Sequence, residues 1–256
     1  MRLPSPDDGE AFITGASTGI GRALAIRLAV AGWRVVAAAR SAADLNEVAA
    51  AGPPGRIRAL PLDVTDAAAV SRAVNEVEVT IGPIVLAVLN AGTHQLVRAA
   101  TFKAADFRAL IELNLMGTVN CLDSLLPVMR GRKRGQIAIT ASVAGYRGLP
   151  TASAYGMTKA GLINMAEALA PELEADGIRL QIANPGFVAT PLTARNSFPM
   201  PFLISPEAAA EAYFRGLMAG RFEIVFPRRM ALAMKLYRLL PYGLAMALAR
   251  QWIPKD

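Results

Sequence analysis

Short apolar runs recur along the chain at residues 11–14, 34–39, 57–62, 84–89, 136–140, 179–183 and 222–226, separated by longer stretches whose apolar positions keep helical spacing. Alternation of this kind is the sequence form of βαβ units around a parallel sheet. Several runs, such as Val35-Val36-Ala37-Ala38-Ala39, are apolar at nearly every position, as strands covered by helices on both faces must be. The helical stretches end at stop signals: Gly32 after the first, Gly82-Pro83 after the third and Gly177 before the sixth strand. The pattern predicts an α/β fold built on a doubly wound parallel sheet of about seven strands. No long linker, repeat or low-complexity tract divides the 256 residues, so residues 1–227 are expected to form one domain and residues 228–256 a C-terminal helical extension.

Composition narrows the class. With 54% hydrophobic and 18% charged side chains, the chain is expected to bury one generous core, and disorder is excluded. The first ten residues lack the cationic start and apolar run of a secretory signal and read as a short arm. A single cysteine, Cys121, removes any intramolecular disulfide and points to a reducing, cytoplasmic setting. One histidine, His94, leaves no basis for a His-rich metal centre or a Ser-His-Asp triad, and no metal is expected. The net charge of +7 is unevenly placed: residues 221–256 hold seven basic and two acidic side chains, five of the seven net charges.

Thr14-Gly15-Ala16-Ser17-Thr18-Gly19-Ile20-Gly21 follows the first strand and opens the first helix. Glycines there permit a tight turn and close backbone approach, so that amide groups and the positive helix terminus can meet a pyrophosphate. The Gly-x-x-x-Gly-x-Gly spacing preceded by threonine resembles the short-chain dehydrogenase/reductase family. Further matches follow in order: Asp63-Val64, Asn90-Ala91-Gly92, Asn114, Ser142, Tyr155-Gly156-Met157-Thr158-Lys159, Pro185-Gly186 and Thr190, over roughly residues 11–195. Leu89 departs from the pattern, since many members carry a further Asn there. The resemblance implies a Rossmann-type fold and an NAD(P)-dependent oxidoreductase. It places the dinucleotide against Gly15, Ser17, Thr18, Gly19, Ile20 and Gly21, then Asp63 and Val64 at the adenine, and Asn90, Ala91 and Gly92 beside the ribose. Tyr155, Lys159, Pro185, Gly186, Val188 and Thr190 are implied on the nicotinamide side.

Cofactor preference follows from charge. An acidic residue at the end of the second strand suits the ribose hydroxyls of NAD, whereas arginine suits a 2′-phosphate. Here that strand runs into Arg40-Ser41, with no acid before Asp44, and a planar guanidinium can pair a phosphate bidentately. NADP(H) is therefore the preferred cofactor, with NAD(H) and an oxidative direction as the alternative.

Tyr155 and Lys159 stand at i and i+4, one turn apart on a helix face. A neighbouring ammonium is expected to lower the phenol toward working pH, so that Tyr155 donates a proton to a carbonyl oxygen or takes one from an alcohol. The Ser142 hydroxyl can polarise the substrate oxygen. By resemblance, Lys159 also holds the nicotinamide ribose, and Asn114 sits at a main-chain distortion with a water that relays protons to the lysine. A non-catalytic dinucleotide sensor would have lost Tyr155 or Lys159, and both are present.

The substrate is expected to be a small carbonyl or alcohol compound. Phe198, Met200, Phe202, Leu203 and Ile204 in the Pro-rich loop at 191–206 point to an apolar ketone beneath a lid, or alternatively to ordinary packing. His94 lies near the entrance and is not assigned a catalytic role, and Cys121 reads as a buried apolar residue. In the tail, Arg and Lys alternate with Leu and Met around Pro241, and each half is too short to span a bilayer. No stacking platform or reading motif accompanies these cations, so no nucleic acid is expected. The tail then packs on the domain, on a second subunit or over the active-site mouth, attaches to a membrane surface, or is simply solvated. A homodimer or tetramer is expected.

Overall fold

The computed structural model describes residues 2–196 and 198–253; Met1, Ser197, Pro254 and the charged Lys255 and Asp256 of the expected tail lie outside the described residues. Seven strands, β1 (Glu10–Thr14), β2 (Arg34–Ala39), β3 (Ile57–Pro61), β4 (Ile84–Leu89), β5 (Gly135–Thr140), β6 (Ile178–Pro185) and β7 (Glu223–Phe226), form one sheet. Its order is β3-β2-β1-β4-β5-β6-β7, and every pairing is parallel. The protein is thus an α/β chain of the Rossmann-like, doubly wound class. Each expected apolar run became a strand, with ends moved by no more than two residues.

Alternation along the strands divides the core into two layers. On β1, Ala11 and Ile13 face one side and Phe12 the other, all fully buried. The first layer takes α1 (Gly19–Val30), α2 (Ala42–Ala51) and α7 (Pro206–Ala219), through Leu24, Leu28, Leu45, Val48, Tyr213 and Leu217. The second takes α3 (Ala67–Thr80), the long helix containing α4 (Ala104–Leu110) and α5 (Gly117–Gly131), and α6 (Ser153–Ala175). The segment from Ala104 to Gly131 is long and apolar enough, by length and composition, to cross a bilayer. Its Leu122, Leu125 and Met129 are instead buried in the second layer of the core. Ser41 and Asp66 fix where α2 and α3 begin by accepting the amides of Asp44 and Ala69 at 3.3 and 2.9 Å.

At the N-terminal ends of the strands the sheet is closed by ion pairs: Glu10 with Arg34, Asp8 with Arg134 and Glu78 with Arg132. The opposite end is left open. Strand order reverses about β1, so the connections after β1 and β4 diverge there and leave a crevice at the carboxyl ends of the strands.

The extension forms two helices, α8 (Arg228–Leu239) and α9 (Tyr242–Gln251), broken at Pro241 as the sequence predicts. One face of α8, with Met230, Met234 and Tyr237, is buried in the second layer of the core. Arg147, from the loop after β5, donates to the carbonyls of Tyr237, Arg238 and Leu240 at 3.0, 3.0 and 2.6 Å. It thereby caps the open C-terminus of α8. Lys235 of α8 and Tyr146 both bond the Glu223 carboxylate at the start of β7. Burial alone would raise this carboxyl, and the bonds from Lys235, Tyr146 and Asn184 bring it below its ordinary value.

Candidate active site

The crevice is a cleft of about 400 Å³, lined from the ends of β1, β2, β4, β5 and β6 and from α6. Sites of roughly 300–1,000 Å³ are the normal size for small organic ligands. Its lining includes all but two of the residues marked out by sequence: Gly15, Ser17, Thr18, Gly19 and Ile20 on the first loop; Arg40; Asp63 and Val64; Asn90, Ala91 and Gly92; Ser142; Tyr155 and Lys159; Pro185, Gly186, Val188 and Thr190. Gly21 and Asn114 stand behind the wall.

The first loop is a backbone cradle. Gly15 and Gly19 have φ of +64° and +55°, a region that L side chains rarely enter. A Cβ at Gly21 would lie 2.2 Å from the Gly15 carbonyl oxygen, so only glycine lets α1 start this close to the loop. The Thr14 hydroxyl accepts the amides of Asn90 and Ala91 at 3.0 and 3.1 Å. The Asn90 side chain returns two bonds to the carbonyls of Thr14 and Gly15 at 3.3 Å each. Loops after β1 and β4 are therefore locked as one floor. A glycine-built loop leading straight into a helix N-terminus fits a pyrophosphate.

Arg40 is exposed at the end of β2, on the rim of the cleft, beside Asp63. Asp63 accepts the amide and hydroxyl of Thr65 at 3.0 and 2.8 Å. These two bonds, and then the charge of Arg40, hold its carboxyl below the ordinary value. Ser41 is occupied in capping α2.

The opposite wall carries the polar chemistry. Lys159 is 4% exposed, and its Nζ donates to the Thr140 carbonyl oxygen at 2.8 Å. Burial pulls its ammonium down to about 8. The nitrogen lies 5.6 Å from the Tyr155 ring centre. The expected lowering of Tyr155 by this ammonium is not found in the ligand-free protein: burial raises the phenol above its ordinary value, and the Ser142 hydroxyl pulls only partly the other way. The physical reason is that the buried ring loses water, which disfavours the charged phenolate more than the Ser142 hydroxyl favours it. Ser142 accepts the Ala144 amide at 3.1 Å and donates to the Pro185 carbonyl at 3.3 Å, which ties β5 to β6. The His94 ring meets the Tyr155 ring edge-on at 4.7 Å.

Asn114 is fully buried within a π-helical segment, Ile111–Met116, between α4 and α5. Here the main-chain distortion implied by the family resemblance is present. The widened turn lets the side chain accept the Thr93 amide at 2.8 Å and donate to the Thr93 carbonyl at 3.0 Å and the Thr158 hydroxyl at 3.1 Å. It thus pins the loop after β4 to α6.

Several contributors were not marked out by sequence. Thr140 acts through its backbone oxygen, Thr158 through a hydroxyl behind the wall, and Thr193 lines the cleft while donating to the Val188 carbonyl at 2.5 Å and accepting the Thr190 amide at 3.0 Å. The last had a signal, a hydroxyl three residues beyond Thr190. The apolar loop expected as a lid contributes only its start: Pro191, Leu192 and Thr193 line the cleft, whereas Phe202 and Leu203 are exposed and Phe198 packs on Phe187 at 6.0 Å. Cys121 is buried, which pushes its thiol up to about 12.

A glycine-floored crevice at the switch point of a parallel sheet, with a tyrosine and a lysine one helical turn apart on its wall, defines a dinucleotide-dependent oxidoreductase of the Rossmann class. Residues 10–199 match the family described as short chain dehydrogenase, and the chain belongs to the short-chain dehydrogenase/reductase family. It is 38% identical over 245 residues to an uncharacterized oxidoreductase of Myxococcus xanthus, covering 94% of this chain and 96% of that one. It is also 34% identical over 213 residues to the 3-oxoacyl-[acyl-carrier-protein] reductase FabG of Thermotoga maritima, covering 82% and 83%. A short-chain dehydrogenase from Streptomyces avermitilis superposes with a TM-score of 0.80 at 28% identity, covering 95% of both chains. The protein is an NAD(P)-dependent enzyme.

Proposed function

We propose that this enzyme is an NADPH-preferring carbonyl reductase, reversible as a secondary-alcohol dehydrogenase, acting on an apolar ketone. The observation that carries the reading is the convergence of Ser142, Tyr155 and Lys159 on the inner end of a glycine-floored cleft. A bound nicotinamide supplies the hydride. Ser142, placed between β5 and β6, turns its one hydroxyl proton from the Pro185 carbonyl to the substrate oxygen as negative charge develops there. Tyr155 gives that oxygen its proton. The raised phenol keeps this proton until the substrate oxygen takes it as the hydride arrives. Lys159 is held by Thr140 at a position to bond ribose hydroxyls and feed charge toward the phenol. Asn114 positions rather than reacts, since it touches Thr93 and Thr158 only through the wall.

Arg40 supports NADPH over NADH, as a cationic side chain on the cleft rim at the end of β2, where arginine suits a ribose 2′-phosphate. The name of the Thermotoga relative makes 3-oxoacyl thioesters the first ketones to examine, and of the 191–206 segment only Pro191 and Leu192 add apolar lining for such a substrate. A homodimer or tetramer in the cytoplasm completes the reading. Fluorescence titration should give NADPH the lower Kd, with Arg40→Asp reversing the order; unchanged selectivity refutes the cofactor assignment. In a ketone panel Tyr155→Phe should lose about 10²–10⁴ in kcat with NADPH affinity kept, the usual share of a general acid. Retained turnover would remove the assigned mechanism.

A further inference from the structure

The outer face of the C-terminal extension is not explained by the reductase reading. On α8 the buried residues Met230, Ala231, Met234 and Tyr237 form one face, while Leu232, Leu236 and Leu239, at i, i+4 and i+7, are 61%, 58% and 80% exposed on the other. At 100° per residue these leucines lie opposite the buried stripe, so packing on the body does not account for them. On α9 only Ala245 is buried, and Leu244, Met246 and Leu248, with Trp252 and Ile253 beyond, are exposed. Contiguous exposed apolar surface of this kind marks an interaction site.

Charge identifies the occupant. Residues 224–253 contain five basic and no acidic side chains. Lys235 is paired with Glu223, and Arg228, Arg229, Arg238 and Arg250 are exposed around the leucines. A second copy set face to face would bring the four exposed arginines of each copy together, eight like charges with no acidic side chain within residues 224–253 to offset them, which disfavours self-association. An apolar face rimmed by cations, on helices of twelve and ten residues, matches the interfacial region of an anionic bilayer, where such helices lie in the plane without crossing. We infer that α8 and α9 form a membrane-docking face for anionic lipid.

The test is co-sedimentation of the full chain with vesicles of phosphatidylcholine alone or with about 30% phosphatidylglycerol, beside the variant Leu232→Gln/Leu236→Gln/Leu239→Gln. The full chain should pellet with anionic vesicles and about tenfold or more weakly with neutral ones, as expected where each surface cation adds to the attraction. The variant should lose anionic binding with unchanged thermal midpoint, NADPH affinity and mass by light scattering. Failure of the full chain to pellet, equal pelleting with both lipids, or equal pelleting by the variant overturns the inference. A lower mass for the lipid-free variant also overturns it, because the face is then a subunit interface. Vesicle binding is read without turnover, so it fails or holds independently of the reductase reading.

Discussion

Replacing Lys159 by methionine should stabilise the ligand-free protein while abolishing turnover. Burial lowers the ammonium from its ordinary 10.5 to about 8. At 1.36 kcal/mol per unit, that displacement is a penalty of roughly 3 kcal/mol on the folded state wherever the lysine is protonated in both states. Methionine keeps most of the stem volume and removes the penalty. It also removes the bond to the Thr140 carbonyl, a loss of about 1 kcal/mol. The net gain at pH 7 is about 2 kcal/mol, or about 4–8 °C in thermal midpoint for a chain of this size. The pH dependence separates this cause from generic repacking. Because the folded value is the lower one, the unfolded chain binds more protons between pH 8 and 10.5, and the wild type gains stability as pH rises through that window. The advantage of Lys159→Met should therefore shrink to about zero near pH 10. Tyr155 and Tyr213, whose folded values are raised by burial, lose stability above pH 10 in both proteins, which sets the upper limit of the comparison. Urea unfolding without cofactor at pH 7 and pH 10 measures both quantities. A less stable variant at pH 7, or an advantage independent of pH, would refute the assignment of a buried, costly ammonium.

Two substitutions probe the supports around the cleft. Asn114→Ala should cost about 2–3 kcal/mol, because the Thr93 amide and carbonyl and the Thr158 hydroxyl lose a common partner; thermal unfolding and faster hydrogen exchange at the 93–94 loop report it. Arg147→Ala should free the last carbonyls of α8 and destabilise by about 1–2 kcal/mol, with faster exchange over residues 228–251 and NADPH affinity unchanged within about twofold. A slow, wild-type exchange pattern in that segment would show that apolar packing alone holds it.

The seven strands were legible because strands buried on both faces leave long apolar runs that few other elements mimic. The glycine cradle was legible because positive φ and near-contact backbones exclude other residues. Arg40 and Tyr155 were legible as residue types, but their environments were not. The raised phenol of Tyr155 depends on burial contributed by several elements, and the carbonyl of Thr140 that holds Lys159 leaves no mark in a sequence. Arg147 is likewise an ordinary surface arginine until a chain segment some ninety residues later places three carbonyls beside it. The tail was read as two amphipathic halves, yet which face would be inward was set by the pocket between the Ser142 loop and β7.

Local rules are broken together at one place. A π-turn, a buried lysine and a buried asparagine each cost stability alone, and consistency across levels of structure is normally what a sequence preserves. Their meeting point is Gly92. A Cβ there would lie 3.1 Å from the Asn114 side-chain oxygen and 3.4 Å from Lys159 Nζ. A methyl group there would press on the Asn114 side-chain oxygen by a few tenths of an ångström, at the atom that accepts the Thr93 amide, and would touch Lys159 Nζ at ordinary contact distance. The missing side chain of Gly92 lets the distorted helix, the loop after β4 and α6 approach one another closely at this point. That close approach is part of what buries Lys159, and burial is what draws its ammonium down to about 8.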